Sequence, residues 1–151
     1  MTNRILGSFF MGFIFMSILD FLYFIGLKLN YFDFYKIYVY FNVLFVDNQN
    51  FYLLIPLSGL LGYLLVYSPF VKIAMKIYIV AILLFVTTIY EPIGKTLGEA
   101  VFLKENQQYK LGSTTFSGST LYEGRNYIYV YRKSLGKTIK LPIEEVNQLV
   151  F

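Results

Sequence analysis

One acidic side chain, Asp20, lies well inside an apolar run of this chain. A carboxyl group in such surroundings can hold a proton or bind a cation, so it is the first candidate functional residue. A structural role is favoured over a functional one, because a hydrogen-bonded polar residue also fixes how one helix lies against another. The residues around Asp20 must decide between the two.

The composition excludes many kinds of site. The chain has no Cys and no His, so it offers no thiolate or imidazole ligand and no Ser-His-Asp triad. Paired carboxylates are also missing, because Asp20 is the only acid in its apolar run. We therefore expect no catalytic residue, no metal site and no cofactor, and an enzyme is the least favoured class.

Three long apolar runs indicate an integral membrane protein. They cover about residues 5–27, 51–68 and 71–91, and a helix of about 20 residues crosses ~30 Å of hydrocarbon. Only Ser68–Phe70 separates the last two runs, so these helices should be antiparallel. The first run is too long for a signal peptide and lacks a small-residue cleavage site, so we expect it to remain uncleaved.

Helix geometry predicts what lies beside Asp20. It is about seven residues, or ~10 Å, from the far end of the first run. The same depth falls at Ser58 in the second run and at Thr87 and Thr88 in the third. We expect one of these hydroxyls to be its hydrogen-bond partner. Lys76 should be too distant, ~15 Å away along the membrane normal.

Two pairs of small residues are spaced for close helix packing. Ser8 and Gly12 are four apart in the first run, as are Ser58 and Gly62 in the second. This spacing lets helix backbones approach each other in lipid. Packing within the chain and homodimerisation are both compatible with it.

Basic residues near the span ends bear on orientation. We expect Arg4, Lys72 and Lys76 to contact lipid head groups at the N-terminal side. They favour an N-terminus inside and a C-terminal tail on the outer, periplasmic side of a bacterial plasma (inner) membrane. The bias is small, because four lysines flank the spans on the other side: Lys28, Lys36, Lys95 and Lys104.

The segment 31–46 is rich in Tyr and Phe, which suits the membrane–water boundary. We expect a helix lying in that interface with Asp33 and Lys36 on its wet side, and a strand is the alternative. The polar run Asp47–Asn50 should then cap the second membrane helix.

Residues 93–151 form a tail of different character. Residues 97–110 predict a short amphipathic helix, and residues 144–149 a terminal helical turn. Between them, about residues 113–142 predict a three-stranded antiparallel β-module with strands at Thr120–Tyr122, Tyr127–Tyr131 and Thr138–Leu141.

Tyr127, Tyr129 and Tyr131 share one face of the central strand, and we expect them to form a docking face for a protein or the membrane surface. Aromatic residues near Arg125 and Arg132 are also typical of base stacking, but nucleic acid is not favoured because no basic face is clustered.

The fold expected is a mainly α membrane protein: a transmembrane domain over residues 1–92 with three helices and an aromatic interfacial segment, followed by the β-module. The function expected is that of an accessory or scaffold protein whose partners are the lipid bilayer and either another protein or a second copy of itself. The alternative is a subunit of a small oligomeric transporter or channel that uses Asp20 as a proton or cation site.

Overall fold

Helices occupy the first two thirds of the chain and strands the last third. The computed structural model describes residues 2–112 and 114–149. Its helices are α1 (Thr2–Leu27), α2 (Phe41–Asp47), α3 (Phe51–Val66), α4 (Val71–Val86) and α5 (Glu91–Phe102). Its strands are β1 (Lys104–Leu111), β2 (Thr114–Glu123), β3 (Tyr127–Arg132), β4 (Lys137–Pro142) and the short β5 (Val146–Leu149).

In the part of the chain that the structure describes, two helices are long and apolar enough to cross a membrane. A π-helical turn, Lys28–Phe32, continues α1, so that Asn3–Phe32 forms one helix of 30 residues, ~45 Å long. A 3-10 turn extends α4 to Ile89, giving 19 residues. The third predicted span is shorter, because α3 has 16 residues, ~24 Å, and meets α2 at an angle of 86°. A third crossing requires α2 and α3 to act as one broken span.

The helices α1 and α3 pack with their backbones in contact. A Cβ on Gly12 would lie 1.8 Å from the carbonyl oxygen of Ser58, and one on Gly62 would lie 1.8 Å from that of Ser8. Both small-residue pairs singled out in the sequence therefore lie at a single crossing inside the chain. Asn50 caps α3 at its start, where its Oδ1 accepts a hydrogen bond from the Leu53 N–H at 3.2 Å.

The aromatic segment 31–46 differs from the single helix expected. Its first residues complete the π turn, residues 33–36 reverse the chain, and only Phe41 onward is helical, as α2. Asp33 forms an ion pair with Lys28 and does not share a helix face with Lys36. The φ of 56° at Lys36 marks the chain reversal. The cause is burial: Tyr31, Phe32 and Ile37 are all at most 1% exposed in a core shared with the sheet.

Within the described residues the sheet has five strands in place of the three expected, with the order β4-β3-β2-β1-β5. The predicted amphipathic helix ends at Phe102, and the residues after it form β1, in which Gln107, Tyr109 and Leu111 point inward at every second position. The predicted terminal turn, residues 144–149, ends in β5. Most residues of β1 are polar, so a helix formed by them would have no continuous apolar face to bury. Backbone pairing with β2 and β5 stabilises the strand instead.

The connection from β4 to β5 requires the sheet to curl. These strands lie at opposite edges, yet only Ile143–Glu145 joins them. Four peptide units span at most ~14 Å, whereas the edges of a flat five-stranded sheet are ~19 Å apart. The inner face of the curled sheet encloses a small core of Tyr109, Phe116, Ile128, Val130 and Leu141.

The α1–α3 crossing gives a stability prediction. Gly62→Ala should lower the free energy of unfolding by about 1–3 kcal/mol, because the new methyl group must push the two backbones apart. Thermal or denaturant unfolding of the purified chain in mild detergent measures it. Gly59→Ala is the matched control, since its nearest neighbour would be Phe9 Cδ2 at 4.0 Å. Equal stability of the two variants would contradict the crossing.

Candidate functional site

Asp20 is half-buried, and its partner is an amide. The Nε2 group of Gln49 donates a hydrogen bond to Asp20 Oδ2 at 2.7 Å. Among the described residues, no hydroxyl is bonded to this carboxylate. The predicted hydrogen bond from Asp20 to Ser58, Thr87 or Thr88 is therefore not formed.

The relative position of α1 and α3 explains the difference. Gly12 lies opposite Ser58 and Gly62 in an antiparallel pair, so eight residues further along α1 Asp20 is level with the first turn of α3. The lengths of the apolar runs alone predict that the end of α1 is level with the start of α3. The helix instead continues to Phe32, so its last turns project ~16 Å beyond that start.

The three hydroxyls have other neighbours. Ser58 is completely buried against Gly12, and its Oγ has no partner among the described residues. Thr87 Oγ1 donates to the Leu84 carbonyl at 2.6 Å, and Thr88 Oγ1 to the Phe85 carbonyl at 2.7 Å.

A cleft of about 330 Å³ opens beside Asp20. Its polar lining comes from Tyr23, Asn48, Gln49 and Asn50, and its apolar lining from leucines of α3 and from Met16 and Phe24 of α1. The Oε1 atom of Gln49 is buried, with no hydrogen-bond partner in the described chain. The carboxylate and this amide oxygen together present acceptors, so the cleft is suited to a cation or a hydrogen-bond donor.

Hydrogen bonds and an ion pair fix the sheet to the end of α1 and to the segment that follows it. The hydroxyl of Tyr31 donates to the Leu121 carbonyl at 2.8 Å, and that of Tyr129 to the Tyr38 carbonyl at 3.0 Å. Thr138 Oγ1 donates to the Tyr35 carbonyl at 2.7 Å. Arg125 and Asp47 form the ion pair. The β-module is therefore held in one position relative to the helices.

The three tyrosines of β3 do not form a free docking face. Tyr129 is only 4% exposed, and Tyr131 packs against the same core, whereas Tyr127 remains 41% exposed. The chain's own segment around Tyr38 covers the face, since a sheet of this size needs an apolar partner. Burial also raises the pKa of Tyr122 and of Tyr129 above the ordinary value for tyrosine.

The basic residues predicted to meet head groups lie at the other end of the helices. Arg4, Lys72 and Lys76 are exposed. The hydroxyl of Tyr67 lies 3.4 Å from the position of a Cβ on Gly7, which brings the start of α1 and the α3–α4 hairpin to the same end. The β-module lies at the opposite end, beyond α5.

Sequence reasoning missed two features. The first is Gln49, which the sequence predicts only as part of a helix-capping run. Its side-chain amide was nevertheless a candidate hydrogen-bond partner for Asp20. The second is a pocket of about 340 Å³ at the rim of the sheet, lined by Arg132, Lys133 and several hydroxyls. The hydroxyl-rich run of residues 114–119 was its only signal.

Three comparisons with known proteins bear on identity. No family model, no curated protein and no solved structure matches this chain. Function must therefore be argued from the geometry alone.

The joint between helices and sheet gives a second prediction. Tyr129→Phe should destabilise the chain by about 0.5–1.5 kcal/mol, because the Tyr38 carbonyl loses its hydrogen-bond donor. Hydrogen exchange should then be faster for the β3 amides. Tyr127→Phe, on the same strand but exposed, is the control. If both variants exchange alike, the Tyr129 hydrogen bond does not hold the joint.

Proposed function

We propose that this chain is an integral membrane accessory protein that holds a β-module at one membrane surface, where the module docks a partner protein. The chain itself carries out no catalysis in this proposal. The module faces the outer, periplasmic side of a plasma membrane.

The exposed apolar surface of the helices carries the membrane part of the proposal. In the most apolar 18 residues of α1, and likewise of α4, only 17% of the residues are buried. Side chains such as Leu83 and Leu84 are more than 60% exposed. Apolar surface of this extent is unfavourable in water and requires either lipid or another protein to cover it.

The fixed joint supports the docking part. A module that only tethered a flexible tail would need no buried contacts with the helices, yet Tyr31 and Tyr129 bond across the boundary. A rigid mount loses less conformational entropy when a partner binds. The module is thus suited to presenting a surface at a set height above the helices.

The absence of Cys in the sequence makes the membrane arrangement testable. Single cysteines replace Asn126 in the β-module and Lys72 at the opposite end, and a membrane-impermeant thiol reagent is added to intact bacteria. We expect Asn126→Cys to be labelled in intact cells and Lys72→Cys only after lysis. The chain should stay in the membrane pellet after carbonate extraction.

Carbonate extraction and thiol labelling test separate parts of the proposal, membrane integration and orientation. Release of the chain by carbonate would refute membrane integration. Retention with the opposite labelling pattern would reverse the orientation and leave the rest of the proposal standing.

A second function, transport or conduction by an oligomer, is favoured by the cleft at Asp20. Asp20 and Gln49 both line this cleft, and the buried Oε1 atom of Gln49 has no hydrogen-bond partner among the described residues. Against it, Asp20 lies beside the first turn of α3, and its one side-chain hydrogen bond among the described residues is to Gln49, which lies outside the helices.

Asp20→Asn separates the two functions. The docking function predicts that this variant folds with nearly wild-type stability, because the Asn oxygen still accepts from Gln49, and that liposomes containing the wild-type chain show no proton or sodium flux above empty ones. Glu91→Gln, an exposed acid after α4, is the control. Flux that the wild type and Glu91→Gln support and Asp20→Asn abolishes would instead establish transport.

A further inference from the structure

Part of β2 lacks a partner strand on one side. β2 pairs with β1 from Thr114 onward, but with β3 only from Ser119. At this point β3 ends and the chain turns away through the 3-10 turn Lys133–Leu135. Residues 115–118 therefore have no ladder on their β3 side among the described residues. In an antiparallel strand, every second residue directs its N–H and C=O to that side.

The unpaired stretch forms one wall of the pocket of about 340 Å³. The residues 115–118 extend over ~13 Å, the length of about four residues of an extended peptide. Lys133 and Ser134 also line the pocket, and Thr115, Ser117 and Ser119 contribute hydroxyl-bearing residues along the strand. Exposed edges of this kind accept an added strand.

Arg132 also lines this pocket. It follows Ile128 and Val130 on the inner face of β3, and its guanidinium carbon lies 4.9 Å from the centre of the Phe116 ring. The stacking positions the group but does not neutralise it.

Among the described residues, no acidic side chain compensates the charge of this pocket. Arg132 has no ion pair or side-chain hydrogen bond among the described residues, and no Asp or Glu lines the pocket. The four ion pairs of the described chain lie elsewhere: Lys28–Asp33, Lys95–Glu99, Lys104–Glu123 and Arg125–Asp47. A half-buried, uncompensated guanidinium pairs best with a carboxylate, which it can bind with two parallel hydrogen bonds.

We propose that an extended acidic segment of a partner protein adds as a strand to the open edge of β2 at residues 115–118 and places a Glu or Asp carboxylate on Arg132. This proposal rests on the proposed docking function and names its partner chemistry. The strand edge supplies backbone hydrogen bonds, and Arg132 selects the acidic side chain.

The probe is an acetylated, amidated hexapeptide of alternating valine and threonine with one central position changed to glutamate. Its binding to the full chain in mild detergent is followed by fluorescence anisotropy. We expect the glutamate peptide to bind at least tenfold more tightly than the same peptide with glutamine. Arg132→Gln should remove this difference. Lys137→Gln, an exposed cation after the same turn, should preserve it.

Backbone methylation tests strand addition itself. Two peptides are N-methylated at alternate residues, one at the odd and one at the even positions. Each therefore lacks the N–H donors on one side of the added strand. We expect one of these peptides to lose binding and the other to keep it.

Other results overturn the proposal. They are no measurable binding of the glutamate peptide, equal binding of the glutamine peptide, or binding of both methylated peptides. Inorganic phosphate competing in the same concentration range as the peptide would reduce the pocket to a simple anion site. Binding of anionic vesicles that Arg132→Gln abolishes would assign it to lipid. None of these outcomes affects carbonate extraction or cysteine labelling, so this inference and the membrane arrangement fail independently.

Discussion

The contact between the last turns of α1 and the β-sheet is the interaction on which the rest of the structure depends. Tyr31 lies at its centre, fully buried, with its ring stacked on Phe102 and its hydroxyl on the Leu121 carbonyl. A curled five-stranded sheet of this size buries little apolar area by itself. The aromatic end of α1 supplies the missing surface, and in return the sheet covers side chains that would otherwise meet water.

Small residues make this contact possible. A Cβ on Gly98 would lie 2.3 Å from Tyr31 Cγ, and one on Gly94 would lie 2.1 Å from the Thr88 carbonyl oxygen. Gly94 and Gly98 are four apart in α5, the same spacing that joins α1 to α3. The same device therefore acts twice, once between two apolar helices and once where a short helix leads the chain into the sheet.

Periodic features could be predicted from the sequence, and relative positions could not. The apolar runs of α1 and α4 and the alternation of β3 follow from local pattern, because each element must bury or expose a continuous face. The position of α1 against α3 is different. It depends on where Gly12 meets Ser58, which the sequence does not specify. The predicted partner, Ser58, therefore lies nearly two helical turns from the level of Asp20.

The missed strand has a related explanation. β1 is polar at most positions and follows a genuine helix, so local preference favoured extending that helix. Its inward residues, Tyr109 among them, become informative only once β2 and β5 lie on either side. Similarly, the alternating tyrosines of β3 predict a docking face that includes Tyr129. The alternation of residues along a strand does not reveal whether another part of the same chain covers that face.

The polar run of residues 47–50 contacts the sheet, Asp20 and the start of α3. Asp47 pairs with Arg125 of the sheet, and Asn48 Nδ2 lies 3.4 Å from the Tyr122 hydroxyl. The next two residues face the helices, where Gln49 donates to Asp20 and Asn50 caps α3. Four consecutive side chains thus join the sheet, the cleft and the helix start. A docking event that moved the sheet relative to the helices would have to strain this run, so the Arg125–Asp47 ion pair, the backbone of residues 47–49 and the Gln49–Asp20 hydrogen bond form a route by which binding at the module could alter the surroundings of Asp20.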